Sequence, residues 1–146
     1  VNHVTDPSTA DMTDIENEYC AEFALGEHSA RHLRRILRLC LTGAGMPEVV
    51  DAAELALTEL VANVVRHVPD RRCRICFLLR RGGVRVEIAD SCSRLPVPAT
   101  GDALAEGGRG LLLVEAVTDR WGVEPYPDRR GKTVWFECLA KASGGG

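Results

Sequence analysis

Between residues 53 and 67 the chain reads AELALTELVANVVRH, an apolar run broken at regular intervals by polar residues. Leu57, Leu60, Val61, Val64, Val65 and Val68 leave most of its surface apolar, and its residues are good helix formers. The pattern predicts a mostly buried helix from Pro47, which suits a first turn, to about His67, where Pro69 halts it. A second helix is predicted over 28–41 from Leu33, Ile36, Leu37 and Cys40, with Gly43 or Gly45 as its stop. A short apolar helix follows over 111–119.

Strands are predicted over 19–25, 72–80, 84–89, 121–124 and 132–139. Arg81-Gly82-Gly83 joins the second and third as a hairpin, and Pro125, Pro127 and Gly131 bracket the turn between the last two. The stretch between Asp90 and Gly108, with Pro96, Pro98 and Gly101, reads as a long functional loop. Hairpin connections dominate this order. The expected fold is therefore a two-layer α/β sandwich, its sheet mixed but mainly antiparallel, with helices on one face. The expected organisation is a flexible arm over 1–17, one domain over 18–140 and a flexible tail over 141–146.

The length of 146 residues suits one domain with a real core. A net charge of −3 gives no general electrostatic case for direct binding of nucleic acid or an anionic membrane. Basic residues cluster at Arg31, Arg34, Arg35 and Arg38, at helical spacing, which reads as a solvated face able to serve as a docking surface for an acidic partner. No apolar run approaches the ~20 residues of a membrane span, and the start of the chain has no secretory h-region, so the expected location is cytoplasmic. Six cysteines are scattered among apolar runs and read as buried structural thiols. Cys73 and Cys76 lie three apart in a strand and so point to opposite faces, which argues against a metal or redox pair.

The chemistry concentrates on the long helix. Glu59, Asn63, Arg66 and His67, at offsets of four, three and one, form a narrow polar stripe on a buried element. Such a stripe needs partners, and a hydrated metal–phosphate ligand could supply them. Two phosphate-loop readings fail. Gly131-Lys132-Thr133 lacks the earlier glycine of a Walker A loop, where Tyr126 stands, and leads into a strand. Gly108-Arg109-Gly110 lacks the third glycine of a dinucleotide fingerprint, where Leu113 stands. The segment from Glu106 to Val114 is instead a hinge running into a helix start, whose free N–H groups suit an anion. Asp90 ends an apolar strand, where its carboxylate can accept from an exocyclic amine such as that of adenine.

In this order the segments resemble the GHKL ATPase superfamily with the Bergerat ATP-binding fold, above all its anti-sigma-factor serine/threonine kinase branch of actinobacterial type. Residues 59–67 are similar to the N box, 86–91 to the first glycine box, 107–111 to the second, and 131–135 to the late strand carrying a threonine near adenine. The resemblance implies ATP and Mg²⁺ as cofactors. It implies Glu59 as general base, Asn63 as Mg²⁺ ligand and Arg66 near phosphate. Asp90 would read the adenine amine with Thr133 assisting through water, while Gly108, Arg109, Gly110 and Leu111 lie against the phosphates and 91–107 forms the lid. It further implies a sigma factor and an anti-anti-sigma protein as partners, and allows a homodimer. Cys92 and Arg94 stand where the family's first box has glycines, which keeps a non-catalytic, partner-sequestering module as the alternative.

Overall fold

A computed structural model describes residues 15–92, 110–128 and 130–140 of the chain. Five strands and three helices follow in the order β1 (Ile15–Ala24), α1 (Ser29–Gly43), α2 (Val50–His67), β2 (Arg72–Arg80), β3 (Gly83–Asp90), α3 (Gly110–Val117), β4 (Arg120–Pro125) and β5 (Lys132–Leu139). A 3₁₀ turn, Pro47–Val49, leads into α2 with the proline at its start. The arm expected over 1–17 is shortened at its end, because Ile15 to Asn17 already belong to β1. The rest of the arm, most of the expected lid and the tail lie outside the described residues.

The strands form one sheet in the order β1-β2-β3-β5-β4, and among the described residues every pairing is antiparallel, so the expected mixed element is not found there. Strand alternation sorts its faces. Ile75, Phe77 and Leu79 of β2, Val84, Val86 and Ile88 of β3, and Val134 and Phe136 of β5 point into one core. That core also takes Leu33, Leu37 and Leu41 from α1 and Leu57, Leu60, Val61 and Val64 from α2. The helices thus cover one face, giving the expected two layers.

Helix ends follow local chemistry. Gly45 takes a φ of 77°, its N–H donates to the Thr42 carbonyl, and that of Met46 donates to Leu41, which closes α1 in a Schellman motif. Val68 is extended before Pro69, as a residue preceding proline must be, and α2 stops there. The basic face of α1 is only partly solvated. Arg38 makes two hydrogen bonds to the Glu54 carboxylate, at 2.8 and 3.0 Å, and Arg34 donates to Thr58 at 3.1 Å, so two of the four arginines fasten α1 to α2.

The opposite sheet face is charged yet closed. The Glu137 carboxylate is 0% exposed and meets the guanidinium groups of Arg80, Arg85 and Arg120. Arg85 also stacks on the Trp135 ring at 4.0 Å. Long arginine stems therefore shield a face that no described helix covers.

The cysteines depart from the expectation of separate thiols. Cys20 and Cys76 are directly opposite partners of β1 and β2 and form a disulfide. Periodicity within one strand cannot show which residue of another strand it faces. Cys73 points into the core, on the other face from Cys76, as the strand spacing requires. Among the described residues no group of three or more metal-ligating side chains comes together, and no helix is long and apolar enough to cross a membrane.

Candidate functional site

The polar stripe on α2 faces α3 at its upstream end. Gly110 opens α3, and a Cβ built on it would stand 2.7 Å from Glu59 Oε1. A side chain at this position would have to displace the tip of the Glu59 carboxylate, which glycine leaves in place. Glu59 is half-buried there. One turn on, the side-chain nitrogen of Asn63 is buried and has no hydrogen-bond partner. An unpartnered buried amide costs roughly 1–3 kcal/mol, which a ligand carrying acceptor oxygens relieves. Hydrated phosphate is such a ligand. The chemistry of Glu59, Asn63 and the Gly110 backbone therefore fits a metal–phosphate group.

Arg66 is exposed and lines a cleft on the α1 side of α2, with Thr58, Val61, Val65 and Arg71. Arg71 holds a left-handed φ of 56° at the turn into β2. Leu111 is buried in the core, so its backbone alone could meet a ligand. Gly108 and Arg109 lie outside the described residues.

The end of β3 brings in Lys132, from the Gly131-Lys132-Thr133 segment that fails as a phosphate loop. Asp90 and Lys132 are cross-strand partners at the ends of β3 and β5. Lys132 Nζ donates to Asp90 Oδ1 at 2.8 Å, with the two side chains 5% and 2% exposed. The same oxygen accepts the Cys92 N–H at 2.8 Å, and the ammonium also donates to the Cys92 carbonyl at 3.1 Å. Thr133, expected beside Asp90, pairs instead with Ala89 and Glu124, and strand alternation turns it to the opposite face with Trp135. A strand residue one position along is a residue on the other side of the sheet. The usable signal for Lys132 was its parity with Val134 and Phe136, the apolar core-facing residues of the same strand.

Comparison with known proteins adds a family. The family described as histidine kinase-like ATPase domain matches residues 23–138. An uncharacterized protein of Streptomyces coelicolor is 36% identical over 78 residues, which cover 51% of this chain and 74% of that protein. The structure of the RsbU and RsbW domains of Rv1364c from Mycobacterium tuberculosis superposes with a TM-score of 0.59 at 20% identity, covering 83% of this chain and 32% of that one. The SiaB–SiaC complex from Pseudomonas aeruginosa gives a TM-score of 0.59 at 12% identity, covering 83% and 89%. At these identities the two structures speak for the fold. The chain spans about a third of the first structure's length.

Proposed function

Since the chain belongs to the histidine kinase-like ATPase family, whose members carry an ATP site, we propose that it is an ATP- and Mg²⁺-binding regulatory protein of anti-sigma kinase type. In this reading it binds a sigma factor and phosphorylates a serine or threonine of an anti-anti-sigma protein, in the cytoplasm. The position of the Glu59 carboxylate beside Gly110, one turn from the unpartnered amide of Asn63, is the observation that supports it most.

Each residue then has a task. Asn63 would hold Mg²⁺ through its side-chain oxygen, because a hard cation prefers oxygen ligands. Bound Mg²⁺ supplies neutralising charge to the phosphates. Gly110 opens α3, and the backbone N–H groups of that helix start would face phosphate oxygens. Glu59 would accept the proton of the attacking hydroxyl as its oxygen bonds to the terminal phosphorus and the bond to the bridging oxygen breaks. Arg66 would assist at phosphate from the edge of α2.

The test is transfer of labelled terminal phosphate from ATP to an anti-anti-sigma protein recovered by affinity capture. Glu59→Gln keeps the shape and removes the proton acceptor. Transfer is expected to fall ~10²–10⁴-fold with ATP affinity retained, the usual contribution of a positioned base. Equal transfer by both proteins would remove Glu59 from the chemistry.

The Lys132–Asp90 pair favours a second reading, a non-catalytic module that sequesters its partner. A carboxylate already paired has less to offer a nucleobase. Tight partner binding by the wild type with no transfer at all would select this reading.

A further inference from the structure

The paired carboxylate at the end of β3 carries an inference that rests on the nucleotide reading above and specifies its substrate class. A lone carboxylate is an acceptor only. Facing a purine, it takes a hydrogen bond from a 6-amino group and opposes the lone pairs of a 6-oxo group. A site built that way selects adenine. Discrimination of this kind is strong, because the wrong base leaves a buried polar group unpaired.

Asp90 is not a lone carboxylate. Its Oδ1 already accepts from both Lys132 Nζ and the Cys92 N–H, each at 2.8 Å, and its charge is matched by an ammonium that is itself 5% exposed. Both bonds fall on Oδ1, so Oδ2 keeps its acceptor capacity for an incoming amine. The ammonium has three N–H donors, and two are used, on Asp90 and on the Cys92 carbonyl. The third can serve an oxygen. The pair is also built into the sheet, because its members are direct register partners on adjacent strands. Beside it, a Cβ on Gly131 would run into the Asp90 carbonyl and the Tyr126 ring. That close approach sets β5 against β3 at this point.

We propose that Lys132 removes the purine preference of this site, so that the chain takes 6-amino and 6-oxo purine nucleotides nearly alike, with affinity resting on the phosphate end. Lys132 acts here as a specificity-determining residue. Its ammonium holds Oδ1 and sets a donor beside Oδ2, so that an amine and an oxo group each meet a partner.

The experiment is equilibrium binding of the Mg²⁺ salts of ATP and of inosine triphosphate, whose base carries a 6-oxo group. Wild type is expected to bind the two within about threefold of each other. Lys132→Met keeps an unbranched stem and drops the charge, leaving Asp90 to read the base alone. The variant is expected to favour ATP over inosine triphosphate by about tenfold or more. Its melting temperature should rise further with ATP than with inosine triphosphate, since a ligand stabilises in proportion to its binding. A wild type that already favours ATP tenfold overturns the proposal, as does a folded variant whose ratio is unchanged. If the variant fails to fold, the wild-type ratio alone decides. Absence of binding of either nucleotide to either protein overturns the nucleotide reading and this proposal together; binding with the wrong ratio overturns the proposal alone.

Discussion

Asn63 and Lys132 are the two side chains in which burial and chemistry meet most sharply. Asn63 keeps an unpartnered amide nitrogen inside the protein, and Lys132 keeps an ammonium there with a carboxylate and a carbonyl around it. The first is an unmet demand and the second a met one. That contrast divides the candidate site into an end that invites a ligand and an end that has already found its partner in the chain. Asn63→Ala removes the unpartnered amide and breaks no internal bond, so fold stability read in urea should hold or rise, by up to about 1–3 kcal/mol. Calorimetric titration with ATP should at the same time lose its dependence on Mg²⁺. A binding isotherm that responds to Mg²⁺ as strongly in the variant as in wild type would exclude Asn63 as the metal ligand.

At the scale of elements, β1 is the strand held most by special means. Among the described residues it is an edge strand with β2 as its single neighbour, and several of its residues face solvent. The Cys20–Cys76 disulfide joins it to β2 across 56 residues of sequence that include α1 and α2. Closing a loop of that size restricts the unfolded chain, and a native disulfide of this kind contributes typically about 2–4 kcal/mol. Cys20→Ala should therefore lower unfolding stability by that order relative to the oxidised protein, read as a shift in the urea midpoint. Adding reductant to wild type should produce a similar shift. No difference between oxidised and reduced wild type would show that the bond adds nothing to the sheet. Disulfides persist in oxidising surroundings. In a reducing cytoplasm the same two residues would stand as facing thiols.

For the molecule as a whole, buried thiols set an alkaline limit on stability. Burial pushes Cys73 up from 9.0 to about 12, aided by the negative charge of Asp90. Burial also raises Cys138 to about 12, with Asp119 and Glu137 adding to the shift. Between pH 9 and 12 the unfolded chain loses these two protons while the folded chain keeps them. The unfolded state then binds fewer protons, so stability falls as pH rises, by at most about 1.4 kcal/mol per pH unit for each thiol. Unfolding followed from pH 8 to 11 should show this decline, and the Cys73→Ala, Cys138→Ala double variant should show a flatter one. Parallel curves for the two proteins would place the alkaline sensitivity elsewhere.

Much of the architecture was legible along the chain because it depends on neighbours in sequence. Leu33, Leu37, Leu57, Leu60 and Val64 recur at helical spacing, and that alone predicts which faces of α1 and α2 enter the core. Pro69 and Gly45 mark their ends by backbone restriction. The four offset between Glu59 and Asn63 likewise determines that both sit on one side of α2. What the tertiary structure alone decided concerns partners on different strands. The register of β3 on β5 sets Lys132, not Thr133, against Asp90, and the register of β1 on β2 sets Cys20 against Cys76. Register is a property of two strands together, and a slip of one residue exchanges the faces of every side chain. Hydrophobic alternation within β5 indicates that Lys132 and Thr133 lie on opposite faces. Which of them meets the carboxylate depends on the sheet that brings Asp90 there.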